Sequence, residues 1–225
     1  MHIEPGVVHG AKMALSVATA AGSATIAAKL IWDSLKDKGP ISLIARSAIA
    51  TICVFIFFEV LPHFAVGISE VHFILGTTLL LVLGTAPAAI GLAAGLALQG
   101  MLFAPSDVPM FTVNVTTLLM PLFAIHFVAK KIVPSDMAYV DLSYGQALKL
   151  SAAYQGGVIA WVAFWAIYGQ GFGADNLASV ASFGLAYASV LLIEPIVDLA
   201  VLAAAKKLNN MNGSGLVSTR LYNAA

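Results

Sequence analysis

The sequence is poor in charged residues. Asp, Glu, Lys and Arg make up only 10% of its 225 residues, whereas hydrophobic residues make up 60%, and the mean hydropathy is +0.93. Because a soluble domain carries about 25% charged residues, this chain has too few polar groups to cover a surface that faces water. The composition therefore predicts a polytopic membrane protein embedded in a lipid bilayer.

The sequence also lacks motifs that would assign several other functions. Its single cysteine, Cys53, lies in an apolar run and excludes a disulfide framework. The net charge is zero and no basic run is present, which argues against nucleic-acid binding. The phosphate-binding pattern GxxxxGKS/T is absent, so any ATP that drives transport would be hydrolysed by another chain. No Ser-His-Asp, HExxH or Cys-rich motif occurs, and an enzyme is the weakest hypothesis.

Long apolar runs are abundant, and a helical span needs roughly 20 such residues. None of the runs alternates strictly, which favours helices over a membrane barrel. The third run is short and ends in a turn signal at Gly84 to Pro87, so a re-entrant piece or a broken helix is the alternative there. We expect an all-α polytopic helical bundle of about seven transmembrane helices, with 1–225 as a single transmembrane domain. The predicted spans are 8–32, 43–61, 72–84, 86–104, 109–129, 146–168 and 178–205.

Lysine and arginine are distributed unevenly among the connections between these runs. They surround the connection between spans 1 and 2, the one between spans 5 and 6, and the segment after span 7, whereas Lys12 is an exception near the N-terminus. Cytoplasmic connections are the ones enriched in these residues. This predicts an N-terminus outside and a cytoplasmic C-terminal tail, 208–225, in the inner (plasma) membrane. The opposite connections, which contain neither residue, are 62–71, 105–108 and 169–177.

The first two residues combine three nitrogen donors. The amine of Met1, the backbone amide nitrogen of His2 and its imidazole Nδ1 can chelate one metal ion through small, unstrained rings. A deprotonated amide nitrogen favours Ni(II) or Cu(II) in a tetragonal field. Three nitrogens leave one in-plane position open, and His72, on the same predicted face, is the best candidate to fill it. Residues 1–7 are therefore predicted to form a metal-binding segment.

Several patterns resemble the substrate-binding membrane component of nickel/cobalt transporters of the energy-coupling-factor type. The resemblance implies that the N-terminal segment inserts into the outward-facing mouth of a helical bundle. There Met1, His2 and His72 would bind the metal in a plane. The patterns are Met1-His2-Ile3 followed by Gly6, Ser69-x-x-His72 followed by Gly76, and Leu98-Gln99-Gly100-Met101-Leu102-Phe103 followed by Asn114.

The same resemblance implies a cargo and partners. Nickel or cobalt, between which the sequence does not choose, would be the transported substrate, and no prosthetic group is expected. The energy would come from a transmembrane coupling subunit and cytoplasmic ATP-binding subunits, and a small auxiliary membrane subunit is a further expected partner. Asn114 and Ser69 are expected to support a ligand or the N-terminal loop, because metal-bound histidines usually donate their other N–H. For Asn114, an ordinary helix–helix hydrogen bond is the alternative.

Three carboxylates, Glu59, Glu194 and Asp198, lie within or at the ends of predicted spans. Ionisable residues at membrane depth are costly and often functional. They could form a proton or cation path, which makes an ATP-independent channel or secondary transporter the alternative function. Glu194 and Asp198 could instead bond backbone groups that a kink at Pro195 frees, and Glu59, near the outer end of span 2, could reach the lipid headgroups. A third hypothesis is a membrane scaffold that packs other subunits through small-residue stripes such as Ala14, Ala18 and Gly22.

Overall fold

The computed structural model describes residues 3–224. Its architecture is a helical bundle, which confirms the predicted fold class, with one small antiparallel sheet between the first two helices. The helices are α1 (Met13–Phe55), α2 (Gly76–Leu83), α3 (Thr85–Leu102), α4 (Phe111–Ile132), α5 (Tyr144–Gln170), α6 (Ala174–Lys207) and α7 (Thr219–Tyr222). The two strands are β1 (Phe64–Val66) and β2 (Ser69–Val71).

Helix α1 contains the first two predicted spans and reverses direction between them. Gly39 has non-helical dihedral angles, φ 76° and ψ 175°, which are accessible to glycine, and Pro40 then starts the second half. The Arg46 guanidinium donates to Ser34 Oγ at 3.1 Å across this point. Residues twelve apart in a continuous helix would be separated by about 18 Å, so the two halves of α1 form a helical hairpin.

The remaining spans agree with the prediction except for the third. Among the described residues, five helical stretches are long and apolar enough to cross a membrane, the first of which, Gly10–Val60, holds spans 1 and 2. Helix α2 has only 8 residues, about 12 Å at the helical rise, and a bilayer core is about 30 Å thick. Residues 72–75 before it are not helical. The predicted span 72–84 is therefore a short helix preceded by non-helical chain.

The bundle has two distinct ends. We call the end that carries residues 3–8 and the β-hairpin of β1 and β2 the hairpin end. The opposite end, called the tail end, carries the turn of α1 at Gly39 and residues 208–224. Hydrogen bonds from basic side chains bring the three basic segments together at the tail end, as the charge pattern predicts. The assignment of that end to the cytoplasm stays a prediction. These contacts are Lys38 Nζ to Val217 O at 2.9 Å, Lys206 Nζ to Asp141 Oδ1 at 2.6 Å, and Arg220 Nη2 to Pro134 O at 2.6 Å.

Close packing of α3 against the second half of α1 depends on small residues. A Cβ atom added at Gly91 would lie 2.3 Å from Ala50 Cβ, and one added at Gly95 would lie 2.5 Å from Val54 Cγ1. Small residues spaced four apart allow membrane helices to approach closely. These two glycines therefore set the distance between α1 and α3.

Both ends of the short helix α2 are bonded to other elements. Arg46 is buried, with only 3% of its surface exposed. At the tail end of α2, its guanidinium donates to Leu83 O at 2.8 Å, and Ser218 N donates to Val82 O at 2.7 Å. These are carbonyls that a helix end leaves without an intrahelical partner. The charge of Arg46 also suits the negative end of the helix dipole.

Candidate functional site

The first described residues pack into the hairpin end of the bundle. Ile3 is fully buried and forms an isolated antiparallel bridge with Ser69. Its backbone N–H donates to Asn114 Oδ1 of α4 at 2.9 Å. The next residue, Glu4, donates its N–H to Ile68 O at 3.3 Å. Two of the residues predicted near the site, Ser69 and Asn114, thus meet around Ile3.

The segment continues across the bundle toward α5. Val7 and Val8 are each only 2% exposed. The backbone of Val7 runs so close to α5 that a Cβ atom added at Gly169 would lie 2.0 Å from Val7 O. Lys12 Nζ donates to Gly169 O at 2.7 Å. Residues 3–8 therefore close the hairpin end of the bundle.

His72 lies just after β2 and is 1% exposed. Its Nε2 is 2.8 Å from Glu70 Oε2. Its ring stacks on His63, with centroids 4.9 Å apart and an interplanar angle of 16°. The ring of Phe58 packs at 5.3 Å. The imidazole is thus fixed by a carboxylate and two aromatic rings, directly after the strand that pairs with Ile3.

Two of the three predicted carboxylates meet the elements around α2. Glu194 is fully buried, and its Oε1 accepts hydrogen bonds from Ile74 N at 2.8 Å and Leu75 N at 3.0 Å. Asp198 Oδ1 accepts a hydrogen bond from Thr78 Oγ1. The third, Glu59, accepts from Gln99 Nε2 of α3 at 3.3 Å. The acids of α6 therefore bond to α2 and to the chain leading into it.

Sequence analysis did not identify Glu70 and His63 as neighbours of His72. Glu70 lies inside the quoted pattern Ser69-x-x-His72. In extended chain, side chains two residues apart project on the same face, and this spacing could have indicated that Glu70 lies beside His72. His63 lies in the same predicted connection, 62–71. Its approach to His72 depends on the reversal of the chain between β1 and β2, which hydropathy alone does not indicate.

Met1 and His2, the other two predicted ligands, lie outside the described residues. Within residues 3–224, no group of three or more His, Cys, Asp or Glu side chains is arranged to hold a metal ion. His126 lies elsewhere, with its Nδ1 2.8 Å from Thr85 Oγ1 at the start of α3. The structure thus brings Ser69 and Asn114 together around Ile3, and His72 follows three residues after Ser69.

The chain is similar to known membrane proteins of metal uptake. A family model described as cobalt uptake substrate-specific transmembrane region matches residues 2–211. The crystal structure of a transition metal transporter has a TM-score of 0.69 and 18% identity, covering 94% of this chain and 95% of that one. A truncated transition metal transporter has a TM-score of 0.67 and 17% identity, covering 93% and 98%. At such identities these two likenesses show the fold.

A comparison with curated protein sequences gives no significant match. The family model, however, spans nearly the whole chain. The chain therefore belongs to the family of cobalt uptake substrate-specific transmembrane regions, and it is a multi-pass membrane component of metal uptake.

Proposed function

We propose that this chain is the substrate-binding component of an ATP-driven importer of nickel or cobalt. It captures the divalent ion at the hairpin end, which the charge pattern assigns to the outer face of the plasma membrane. The ligands are the amine of Met1, the amide nitrogen and imidazole of His2, and the imidazole of His72. The observation that supports this proposal is the pairing of Ile3 with Ser69, three residues before His72.

Covalent geometry links that pairing to the proposed ligands. The Cα atoms of consecutive residues are about 3.8 Å apart, so His2 is tied closely to Ile3. Ile3 is itself held by β2 and by the Asn114 side chain. Ser69 lies only three residues before His72, so one short stretch of chain holds Ile3 and leads to the proposed ligand. This geometry supports a site formed jointly by the N-terminal segment and His72.

Glu70 supports the coordination by His72. A metal-bound histidine usually donates its other ring N–H to a carboxylate, which fixes the tautomer and the orientation of the ring. The contact of Glu70 Oε2 with His72 Nε2 at 2.8 Å suits this arrangement. Nδ1 of His72 is then the coordinating atom. Four nitrogen donors in a plane suit nickel, and the same pocket can accept cobalt.

The energy for transport would come from other chains. The sequence contains no nucleotide-binding motif, so we propose a transmembrane coupling subunit and cytoplasmic ATP-binding subunits as partners, with a small auxiliary membrane subunit. Movement of this chain against the coupling subunit would release the metal inward. Residues 3–8, which close the hairpin end, would have to leave their present contacts for metal to be exchanged.

Titration of the purified protein with Ni²⁺ and Co²⁺ tests the proposed site. The chain that begins at Met1 is compared with a version that carries four additional residues before Met1. The extension separates the amine from His2 by five residues, too far for small chelate rings, and leaves every side chain in place. We expect Kd to rise at least about tenfold, as it does when a metal ligand loses its support. A chain extended by four residues after Ala225 is the matched control, and equal affinities of the two extended chains would contradict the terminal site.

Replacing Asn114 with alanine should weaken metal binding about tenfold. The buried N–H of Ile3 would lose its acceptor, which costs about 1–3 kcal/mol, and about 1.4 kcal/mol corresponds to a tenfold change in Kd. The same titration measures the effect. Thr117→Ala is the matched control, because Thr117 is buried one turn further along α4 and its hydroxyl bonds its own helix at Asn114 O. Wild-type affinity in Asn114→Ala would show that this hydrogen bond does not hold the ligand segment.

A further inference from the structure

Glu194 bonds the backbone that directly follows His72. It lies in α6 and is fully buried. Its Oε1 accepts hydrogen bonds from the N–H groups of Ile74 and Leu75, at 2.8 and 3.0 Å. Its Oε2 accepts a hydrogen bond from Gln155 Nε2 of α5. One carboxylate thus connects α5 and α6 to the segment that links the proposed ligand to α2.

The backbone of this segment requires an external acceptor. Leu75 adopts a left-handed conformation, φ 52° and ψ 35°, which costs about 1–2 kcal/mol for a residue with a Cβ. The N–H groups of Ile74 and Leu75 precede the first turn of α2 and have no intrahelical acceptor. Glu194 provides that acceptor.

We propose that Glu194 is a positioning residue for the metal site. By holding the backbone two and three residues after His72, it fixes the depth and direction of the His72 imidazole relative to the N-terminal segment. This inference rests on the proposed function, in which His72 binds the metal. It accounts for a fully buried carboxylate that bonds the backbone directly after His72.

The positioning role differs from a proton or cation path in what it requires of the side chain. A path requires a group that ionises, whereas positioning requires only an acceptor for two N–H groups. Glutamine retains that acceptor. Among the described residues, Gln155 Oε1 accepts no hydrogen bond, so rotation of the Gln155 amide would let it accept from the new amide nitrogen of Glu194→Gln. Every hydrogen bond of Glu194 therefore has an equivalent in the glutamine variant.

Titration of purified variants with Ni²⁺ tests the proposal. Glu194→Gln should bind with Kd within about threefold of wild type, whereas Glu194→Ala should raise Kd about tenfold or more, as loss of support for a metal ligand does. Stoichiometry is recorded together with Kd. A substitution that only destabilises the fold raises the apparent Kd by no more than the factor by which the folded fraction falls, so a tenfold rise in a variant whose melting temperature keeps it folded during the titration separates positioning from general stability.

Asp198→Ala is the matched control. Asp198 is a buried carboxylate one turn further along α6, but it bonds Thr78 within α2. The Kd of the Asp198→Ala variant should stay within about twofold of wild type, because Thr78 lies six residues after His72 and the effects of separate sites are nearly independent. The proposal is overturned if Glu194→Ala binds like wild type, if Glu194→Gln is as weak as Glu194→Ala, or if Asp198→Ala is equally weak.

A His72→Ala variant in the same series separates the two proposals. If His72→Ala loses binding while Glu194→Ala retains it, the metal site stands and the positioning role is wrong. If His72→Ala binds like wild type, the proposed function fails, and the inference about Glu194 fails with it.

Discussion

Replacing His72 with alanine is expected to raise Kd for Ni²⁺ by more than about 100-fold. Loss of a group that merely supports a metal ligand costs about 10- to 100-fold in affinity, and His72→Ala removes the proposed ligand itself. The N-terminal segment would keep its contacts with Ser69 and Asn114, so the fold and the other donors would be retained. Titration of the purified variant measures the loss, and its melting temperature reports whether the bundle is intact.

Two histidines serve as controls for this substitution. His63 stacks on His72, so His63→Ala removes a packing partner without removing a proposed donor, and less than about a tenfold change is expected. His126 bonds Thr85 at the start of α3, so His126→Ala should leave Kd unchanged. A His72→Ala protein that binds nickel as tightly as the His126→Ala protein would exclude His72 as a ligand.

Gly169→Ala is expected to weaken metal binding about 100-fold, although Gly169 lies on α5 and is not a proposed ligand. The added Cβ would lie 2.0 Å from Val7 O, and a backbone oxygen cannot rotate away as the end of a flexible side chain does. Overpacking costs about 1–3 kcal/mol or more, and about 1.4 kcal/mol is a tenfold change in Kd. The strain is relieved when residues 3–8 move off α5, which displaces the ligand segment.

Gly156→Ala is the matched control on the same helix. A Cβ added at Gly156 meets no atom within 4 Å, and alanine favours the helix over glycine by about 1 kcal/mol. Its affinity should equal that of wild type and its melting temperature should not fall. If Gly169→Ala binds metal like Gly156→Ala, the packing of residues 3–8 on α5 does not control the site.

Much of the bundle could be predicted because long apolar runs leave few alternatives in a bilayer. The backbone must satisfy its own hydrogen bonds there, so α3 to α6 form close to the predicted spans. Asn114, which the sequence analysis expects to support a ligand or the N-terminal loop, accepts a hydrogen bond from Ile3 N, and its part in a metal site stays a prediction. The sequence also placed His72 and the N-terminal segment at the same end of the molecule.

The remainder depends on contacts between distant residues, which hydropathy does not record. The chain from His72 through Leu75 is as apolar as the helix after it, and so the third span was predicted to begin at 72. The N–H groups of Ile74 and Leu75 instead bond Glu194, 120 and 119 residues away in the sequence. The helix consequently begins only at Gly76. The sequence identifies Glu194 as an acid within a span, but it does not indicate that its partners are the N–H groups of Ile74 and Leu75.

The short helix α2 is held by a side chain from another element at each of its two ends. An isolated helix of 8 residues is far below the about 12–15 needed for marginal stability in water. Here the Glu194 carboxylate bonds the approach to its first turn, and the Arg46 guanidinium bonds its last carbonyl. The chain terminus adds the Ser218 N–H at Val82 O. Helix α2 therefore links the C-terminal segment to the chain that follows His72. A shift of the C-terminal segment would remove the Ser218 N–H donor from one end of the helix, while the other end adjoins that chain.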